Sequence, residues 1–287
     1  MNELHERVLC WYDGHARNLP WRAASATPWA VMVSEFMLQQ TPVARVLPVY
    51  EQWMERWPAP ADLAAEPSGE AVRAWGRLGY PRRALRLHQA AAAIVAEHDG
   101  AVPPSYDALR ALPGIGDYTA AAVASFAFGQ RHPVLDTNVR RVLARVVSGV
   151  ELPGVSPTRA ERSLAEDLLP DGSVAARWSV GVMELGALVC TATTPRCTGC
   201  PVTDLCAWRS AGHPPYVGPP RRGQTYAGTD RQCRGQLLGV IRDADGPVHV
   251  SRLEAVWADD AQRRRCLASL LQDGLVSPVS ENMYALP

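Results

Sequence analysis

The chain has 287 residues, of which 47% are hydrophobic and 20% charged; this composition is typical of a packed globular protein and excludes a disordered or collagen-like chain. Its 29 basic and 29 acidic residues cancel, and every basic residue is an arginine because the sequence contains no lysine. Schiff-base chemistry by a side-chain amine is therefore excluded, and any nucleic-acid surface must be local rather than a global basic field.

The sequence gives no sign of membrane insertion or secretion. No apolar stretch approaches the roughly 18–20 residues that span a bilayer, and the first twenty residues carry charges where a signal peptide needs an apolar core. We expect a cytoplasmic protein without membrane contact.

Apolar residues recur at three- and four-residue spacing along the first 210 residues, and proline and glycine clusters separate these segments. The pattern predicts an all-α fold for this part of the chain. The clearest predicted helices are Trp29–Gln40, Ala84–Glu97, Ala120–Phe128 and Thr137–Val147.

Residues 211–230 are rich in proline and glycine and are predicted to be a linker. The tail that follows, residues 231–287, predicts a small winged-helix-like module. Its elements are helices Arg231–Arg242, Ser251–Trp257 and Asp260–Asp273, then a hairpin of Leu275–Val279 and Met283–Leu286. Two roles stay open: DNA contact through the triplet Arg263, Arg264 and Arg265, or packing on the body of the protein or on a partner protein.

In the segment VSEFMLQQTPVARV, residues 33–46, Glu35 lies in an apolar helical run, with Val31, Val33, Phe36, Met37 and Leu38 around it. If its side chain is buried, desolvation raises the pKa of the carboxyl, as a general acid at neutral pH requires. The alternative is a glutamate that faces solvent.

The stretch LPGIGDYTAAAVASFAFG, residues 112–129, places Gly114 and Gly116 in a tight turn before a helix rich in small residues. Glycine backbone and a helix N-terminus together suit a phosphate, although an ordinary helix-turn-helix connection has the same pattern. Asp136 follows at the predicted start of another helix, where capping would keep its carboxylate ionised.

Four of the seven cysteines lie within seventeen residues, with the spacing Cys190-x6-Cys197-x2-Cys200-x5-Cys206. An odd and clustered set argues against a disulfide framework and indicates a metal site. Four thiolates bind either zinc or an iron–sulfur cluster, and spacing alone does not decide between them.

With LPWR at residues 19–22, these motifs make residues 5–210 resemble the MutY-type adenine DNA glycosylases. The resemblance implies an endonuclease III-like fold of two helical subdomains with a 4Fe–4S loop. Residues 1–24 and 137–210 would form the cluster subdomain, and residues 25–136 the helix-hairpin-helix subdomain. Tyr118 stands where bifunctional relatives have a Schiff-base lysine, so a monofunctional enzyme is implied.

The implied reaction is hydrolysis of the N-glycosidic bond of adenine mispaired with 8-oxoguanine or guanine, after the base flips out of the duplex. The implied partner is double-stranded DNA with such a mispair, bound by a monomer. The implied catalytic residues are Glu35, Asp136 and Tyr118, and the implied cluster ligands are Cys190, Cys197, Cys200 and Cys206. The implied DNA contacts are Gln39, Gln40, Tyr80, Leu112, Gly114, Gly116 and Arg196, and the base pocket comprises Leu19, Trp21 and Arg22.

The sequence departs from this family in two places. Pro81 occupies the position of a second aromatic residue after Tyr80, and Arg82 and Arg83 follow as possible phosphate contacts. The tail of 57 residues is too short for the Nudix-like domain with which many members recognise 8-oxoguanine. The alternatives are a thymine or uracil mismatch glycosylase of the same superfamily and an iron–sulfur DNA-binding regulator.

Overall fold

The computed structural model describes residues 1–219 and 226–287, which form two compact units. The first unit contains residues 1–32, 104–111 and 115–219, and the second contains residues 33–103, 112–114 and 226–287. No helix in these described ranges is both long and apolar enough to cross a membrane.

The first unit is entirely helical in its described part, as the sequence pattern predicts. Its elements are α1 (Glu3–His15), a 3-10 turn (Pro20–Arg22), the start of α2 (Pro28–Leu38), α7 (Tyr106–Ala111), α8 (Asp117–Phe128), α9 (Thr137–Val146), α10 (Arg159–Asp167), α11 (Val174–Leu188), a 3-10 turn (Cys197–Gly199) and α12 (Ala207–Ser210).

The core of the first unit forms where α11 packs against α1 and α9. Gly181 allows α1 to approach α11 closely, because a Cβ at this position would lie 3.3 Å from the Val8 side chain. Asn2 caps α1 by accepting a hydrogen bond from the His5 backbone N–H. The His5 ring in turn meets the Trp178 ring edge-on at 4.6 Å, which ties the start of α1 to the core.

The second unit begins with a helical layer around three buried tryptophans. The Trp53 ring meets the Trp57 and Trp75 rings edge-on, at 4.6 and 5.8 Å. Its helices before the tail are the rest of α2, α3 (Val43–Arg56), α4 (Pro60–Ala64), α5 (Ser68–Trp75) and α6 (Arg82–Glu97).

The tail folds as a winged-helix-like module, and its predicted helices and hairpin are confirmed. The three strands β1 (Val248–His249), β2 (Ser277–Ser280) and β3 (Met283–Ala285) form an antiparallel sheet in the order β1-β3-β2, with Val248 opposite Tyr284. The short strand β1 was not predicted, because two residues give no readable alternation. The elements are α13 (Asp230–Arg242), β1 (Val248–His249), α14 (Val250–Glu254), α15 (Asp260–Gln272), β2 (Ser277–Ser280) and β3 (Met283–Ala285).

The module packs on the helical layer of the second unit, which supports the packing role among the two that the sequence left open. The Gly69 backbone N–H donates to the Pro287 oxygen at 2.8 Å, and Arg242 Nη1 donates to the Gly76 carbonyl at 2.7 Å. A Cβ on Gly69 would lie 2.4 Å from the Pro287 oxygen, so only glycine fits at this contact.

Each arginine of the basic triplet of α15 pairs with a carboxylate, whereas the proposed DNA contact requires free positive charge. Arg263 and Arg264 both pair with Asp260, and Arg265 pairs with Asp230 at 2.9 Å. Arg263 is also buried and donates to a backbone carbonyl. The physical reason is that carboxylates on the same and the neighbouring helix supply intramolecular partners.

The predicted four-part division of the chain stays a prediction, since the compact units group its segments differently. Helix α8 belongs to the first unit, and the module belongs to the second together with residues 33–103. Of the predicted linker, residues 220–225 lie outside the described residues.

Replacing Gly69 with alanine tests how the module is docked. We expect the free energy of unfolding to fall by about 1–3 kcal/mol, because the added methyl group overpacks a backbone contact. Urea unfolding followed by circular dichroism measures this change.

Gly14→Ala in α1 is the matched control, because a Cβ there has open space and favours the helix. Equal stability of Gly69→Ala and the wild-type protein would show that the Gly69–Pro287 contact does not hold the module.

Candidate active site and cysteine loop

Glu35 lies inside the protein rather than at its surface. It is on α2, is 6% exposed, and has buried neighbours in Val33, Ser34 and Phe36. The alternative of a solvent-facing glutamate is therefore wrong. A buried carboxyl group is costly unless the site uses it, so its position makes Glu35 a candidate for chemistry.

Helix α2 ends at Leu38, two residues before the predicted end, because the chain turns sharply there. Gln40 adopts a left-handed backbone with φ of 54°, which few residues other than glycine accept. This turn carries Gln39 and Gln40, the two predicted DNA contacts that follow Glu35 on the chain.

A second left-handed residue, Tyr80, follows α5 with φ of 49° and a side chain that is 47% exposed. Arg83 ties this turn to the end of α2. Its guanidinium group donates to the Phe36 carbonyl at 2.9 Å, the Gln39 carbonyl at 2.5 Å and the Gly79 carbonyl at 3.3 Å. The N–H donors of one buried guanidinium group thus fix both strained turns.

Arg83 was predicted as a possible phosphate contact, and the structure corrects this. The residue is buried, and burial lowers the pKa of its guanidinium group to about 10. Its guanidinium group donates hydrogen bonds to the oxygens of five residues, Phe36, Met37, Gln39, Thr41 and Gly79. Arg82 is exposed and pairs with Asp273, the residue that caps the end of α15, at 3.3 Å.

The two glycines of the hairpin have different environments. Gly114 has φ of +78°, and a Cβ there would lie 2.6 Å from the Arg86 Cβ, so the turn itself requires glycine. Gly116 caps α8 with φ of −92°, and a Cβ there would meet open space. Leu112 is buried and anchors the start of the turn, and Tyr118 lies partly buried in the first turn of α8.

Asp136 is the N-cap of α9, as predicted. Its Oδ1 accepts from the Val139 backbone N–H at 2.6 Å, and its Oδ2 accepts from Asn138 Nδ2 at 2.7 Å. Burial raises the pKa of the Asp136 carboxyl, and the two hydrogen bonds and the charge of Arg141 oppose that shift. The expectation that capping alone sets its ionisation is therefore incomplete, because desolvation is the largest contribution.

A chain of hydrogen bonds connects Asp136 to the first cysteine of the loop. Asn138 Oδ1 accepts from Arg141 Nη2 at 2.8 Å, and Arg141 Nε donates to the Cys190 carbonyl at 2.7 Å. Sequence reasoning missed Asn138 and Arg141. The available signal was two polar residues in the first turns of a helix that begins at a candidate catalytic aspartate.

The four cysteines of the loop line one cavity with Leu185 and Trp208, and none of them forms a disulfide. Within the described residues, no three metal-binding side chains converge as closely as a single metal ion requires. A zinc ion holds its sulfurs at about 2.3 Å. Four thiolates that line one cavity are a donor set that suits either zinc or an iron–sulfur cluster.

The environment of these thiols also fits an anionic group. Arg145 is 1% exposed, and its Nη1 lies 3.4 Å from the Cys190 sulfur. Its other hydrogen bonds go to the neutral carbonyls of Glu151, Thr191 and Ala192, so no described carboxylate balances its charge. Thiolates would supply that missing negative charge. Arg196 lies on the exposed side of the loop.

Glu184, which sequence reasoning missed, organises the N-terminal site residues. Its carboxylate is fully buried and accepts from Arg17 Nε at 2.8 Å, Arg17 Nη2 at 2.7 Å and Arg22 Nη2 at 2.9 Å. Leu19 and Trp21, on the same segment, are buried. The signal was a lone acid in the apolar helix α11, but its partners lie more than 160 positions away in sequence.

One nitrogen of the Arg22 guanidinium group lacks a hydrogen-bond partner in the described part of the chain. Its Nη1 is buried and has no hydrogen-bond partner among the described residues. Unsatisfied buried donors are uncommon and mark positions where a bound group can complete the bonding.

Replacing Glu184 with glutamine tests this anchor. The two arginines hold the pKa of Glu184 at about 2, below its ordinary 4.5. Because this pKa is depressed by folding, the stabilisation is fully present above about pH 4.5 and is lost as the pH falls toward 2. We expect Glu184→Gln to reduce the free energy of unfolding by about 3 kcal/mol at neutral pH.

Urea unfolding at a series of pH values measures this effect, and the difference from the wild type should shrink on acidification. Glu6→Gln, an exposed acid on α1, is the matched control and should change little. A difference that stays constant down to pH 3 would contradict the assignment.

Comparison with known proteins identifies the family. Residues 33–166 match the model of the HhH-GPD superfamily of base excision DNA repair proteins. The adenine DNA glycosylase of Mycobacterium tuberculosis (strain ATCC 25618 / H37Rv) is 52% identical over 281 residues, which are 98% of this chain and 92% of that protein. The match therefore includes the module.

Two solved structures share the fold of about three-quarters of the chain. A thermostable thymine-DNA glycosylase has a TM-score of 0.66 and 27% identity, over 72% of this chain and 95% of the other. An endonuclease III in a non-covalent complex with DNA has a TM-score of 0.62 and 22% identity, over 73% and 94%, and shows the fold alone. The predicted endonuclease III-like fold is confirmed, and the chain belongs to the adenine DNA glycosylase family of the HhH-GPD superfamily.

Proposed function

We propose that this protein removes adenine mispaired with 8-oxoguanine or guanine in double-stranded DNA, by hydrolysing the N-glycosidic bond of the flipped base. The observation that carries the proposal is the buried Glu35 in a chain 52% identical to a mycobacterial adenine DNA glycosylase. Membership of this family assigns the protein to base excision, so we prefer an enzyme to the alternative of an iron–sulfur DNA-binding regulator. The enzyme acts as a monomer on cytoplasmic DNA.

Glu35 is the general acid that protonates N7 of the adenine, which weakens the bond from the base to the sugar. The same carboxylate then assists the addition of water. Its burial supports this role, because a carboxyl shielded from bulk water passes its proton to the bound base rather than to solvent.

Asp136 stabilises the positive charge that develops on the sugar, and Tyr118 borders the reacting nucleotide. The hydrogen bonds from Val139 and Asn138 orient the Asp136 carboxylate, and they support its ionised form against the cost of burial. With no lysine in the chain, the reaction ends at base release without Schiff-base cleavage of the strand.

The base pocket comprises Leu19, Trp21 and Arg22. The unsatisfied Nη1 of Arg22 supports this assignment, since an acceptor on the flipped adenine would complete its bonding. Glu184 orients Arg22 through the buried ion pair and is a positioning residue.

The proposed DNA contacts fall into two groups. Gln39, Gln40 and Tyr80 fill the gap that the flipped base leaves in the stack, and their strained turns support a fixed and projecting geometry. The backbone around Leu112, Gly114 and Gly116 and the side chain of Arg196 contact phosphates.

The ligands of a 4Fe–4S cluster are Cys190, Cys197, Cys200 and Cys206. When bound, the cluster has a structural role and stiffens the loop that carries Arg196. The uncompensated charge of Arg145 beside Cys190 supports an anionic cluster at this place.

The test of the proposed function is single-turnover base release from duplexes with adenine opposite 8-oxoguanine, adenine opposite guanine and thymine opposite guanine. We expect release of adenine from the first two duplexes. In Glu35→Gln we expect a loss of at least about 100-fold, since general acid catalysis contributes 10²–10⁴.

Glu97→Gln, on α6, is the matched control, since Glu97 is exposed and outside the proposed site. Release of thymine in place of adenine would transfer the assignment to the mismatch glycosylases, a class to which the thermostable structural relative points.

The two hairpin glycines separate folding from DNA contact. Gly114→Ala should destabilise the fold by about 1–3 kcal/mol, because it strains a left-handed residue and meets Arg86. Gly116→Ala should keep the stability within about 1 kcal/mol.

Its methyl group would nevertheless push a phosphate away from the helix start, so we expect duplex affinity to fall about tenfold. Urea unfolding and fluorescence anisotropy measure the two effects. Wild-type affinity in Gly116→Ala would exclude close approach of DNA at this position.

A further inference from the structure

A large cleft in the second unit has no role in the proposed chemistry. It has a volume of about 1220 Å³. One wall comes from the helical layer and includes α3, α6 and the turns that carry Gln40 and Tyr80, and the other comes from the module and includes α13 and the preceding Tyr226. The module therefore forms half of a cleft that begins at the residues proposed to enter the DNA stack.

Arginines dominate the lining of this cleft, although the whole chain is neutral. Some of them have internal partners. Arg234 pairs with Asp273 at 2.6 Å, and Arg83 donates hydrogen bonds to backbone carbonyls such as that of Phe36. The lining contains eight arginines, namely Arg45, Arg77, Arg82, Arg83, Arg86, Arg231, Arg234 and Arg242, and among the described lining residues one acid, Asp243.

Three of these arginines are exposed and form no ion pair with any carboxylate in the described part of the chain. They are Arg45 on α3, Arg86 on α6 and Arg231 on α13. Positive charge without a carboxylate partner, contributed to one cleft by α3, α6 and α13, matches a ligand that carries repeated negative charges.

The same cleft exposes two aromatic rings. The Tyr226 side chain is 53% exposed, and the Arg231 guanidinium carbon lies 5.8 Å from its ring and 5.4 Å from the Tyr80 ring. Exposed tyrosines interleaved with arginine form a platform on which unpaired bases stack, whatever their sequence.

The position of the cleft selects one strand of the duplex. Glu35, which takes the flipped adenine, lies within α2, whereas Gln40 lies in the turn that follows the end of this helix at Leu38. Gln39, Gln40 and Tyr80 line the cleft, and Glu35 does not. The residues proposed to replace adenine in the stack therefore separate the adenine site from the cleft, which places the cleft beside the partner base.

We propose that this cleft binds the DNA strand opposite the adenine. Phosphates of that strand lie on Arg45, Arg86 and Arg231, and its unpaired base lies against Tyr80 and Tyr226. This proposal rests on the proposed function, and it gives the module a share of the DNA-binding surface through α13 rather than through the paired triplet of α15.

The test uses the full-length protein and a duplex with adenine opposite 8-oxoguanine, in which a 2′-fluorine on the adenosine blocks base release. The variants are Arg231→Gln and Arg45→Gln, one from each wall. Arg252→Gln is the matched control, because Arg252 is an exposed arginine of the same module on α14, outside the cleft. Melting temperatures equal to the wild type verify that all three variants fold.

We expect each cleft variant to raise Kd about tenfold and to reduce the slope of log Kd against log salt by about 1, as the loss of one phosphate contact does. Arg252→Gln should bind as the wild type does. If Arg231→Gln and Arg45→Gln match Arg252→Gln in both quantities, the cleft does not bind DNA and the proposal is overturned.

The strand is identified by replacing single phosphates with uncharged methylphosphonates. A replacement at the contacted position of the strand opposite adenine should weaken wild-type binding but cause no further loss in Arg231→Gln, because both changes remove the same contact. Coupling found in the adenine strand alone would overturn the strand assignment.

Base release by the wild type separates this proposal from the proposed function. The proposed function would be refuted if saturating enzyme released no adenine from the same duplex without the 2′-fluorine. Release of adenine by the wild type together with unchanged binding in both cleft variants would refute the cleft proposal alone.

Discussion

Buried guanidinium groups that donate to backbone carbonyls hold the functional loops of this protein in place. Arg83 fixes the turns of Gln40 and Tyr80, Arg141 fixes the start of the cysteine loop, and Arg145 fixes its next residues. A planar fork with five donors bonds several carbonyls at once, which an ammonium group does with less geometric control. In a chain without lysine, arginine thus does structural work in the interior as well as at the surface.

Uncompensated charge distinguishes the arginines of function from those of structure. In the triplet of α15 each guanidinium has a carboxylate partner, so the segment that looks most basic in sequence has little free charge. Arg145 beside the thiols and Arg231 in the cleft have no such partner among the described residues. Since a buried or clustered cation without a counter-charge is costly, these positions support the proposed binding of an anionic cluster and of DNA phosphates.

Docking of the module connects the fold to the DNA-binding proposals. The contact of Gly69 with Pro287 and that of Arg242 with Gly76 place α13 against the turn that carries Tyr80. A module tethered only by a linker would leave that turn open to solvent. Because the module packs there, Tyr80 and α13 line the same cleft, and the Arg231 guanidinium group lies over the Tyr80 ring.

The sequence alone determined the helical class, the module's element order, the hairpin, the cysteine loop and the positions of Glu35 and Asp136, because each depends on local periodicity or on motif spacing. It could not indicate that Glu184 anchors Arg17 and Arg22, that Arg141 joins Asp136 to the loop, or that Arg83 is structural. Only the tertiary structure decided these roles and the internal pairing of the triplet. The physical reason is that burial and ion pairing depend on residues brought together from distant parts of the chain, which sequence patterns do not encode.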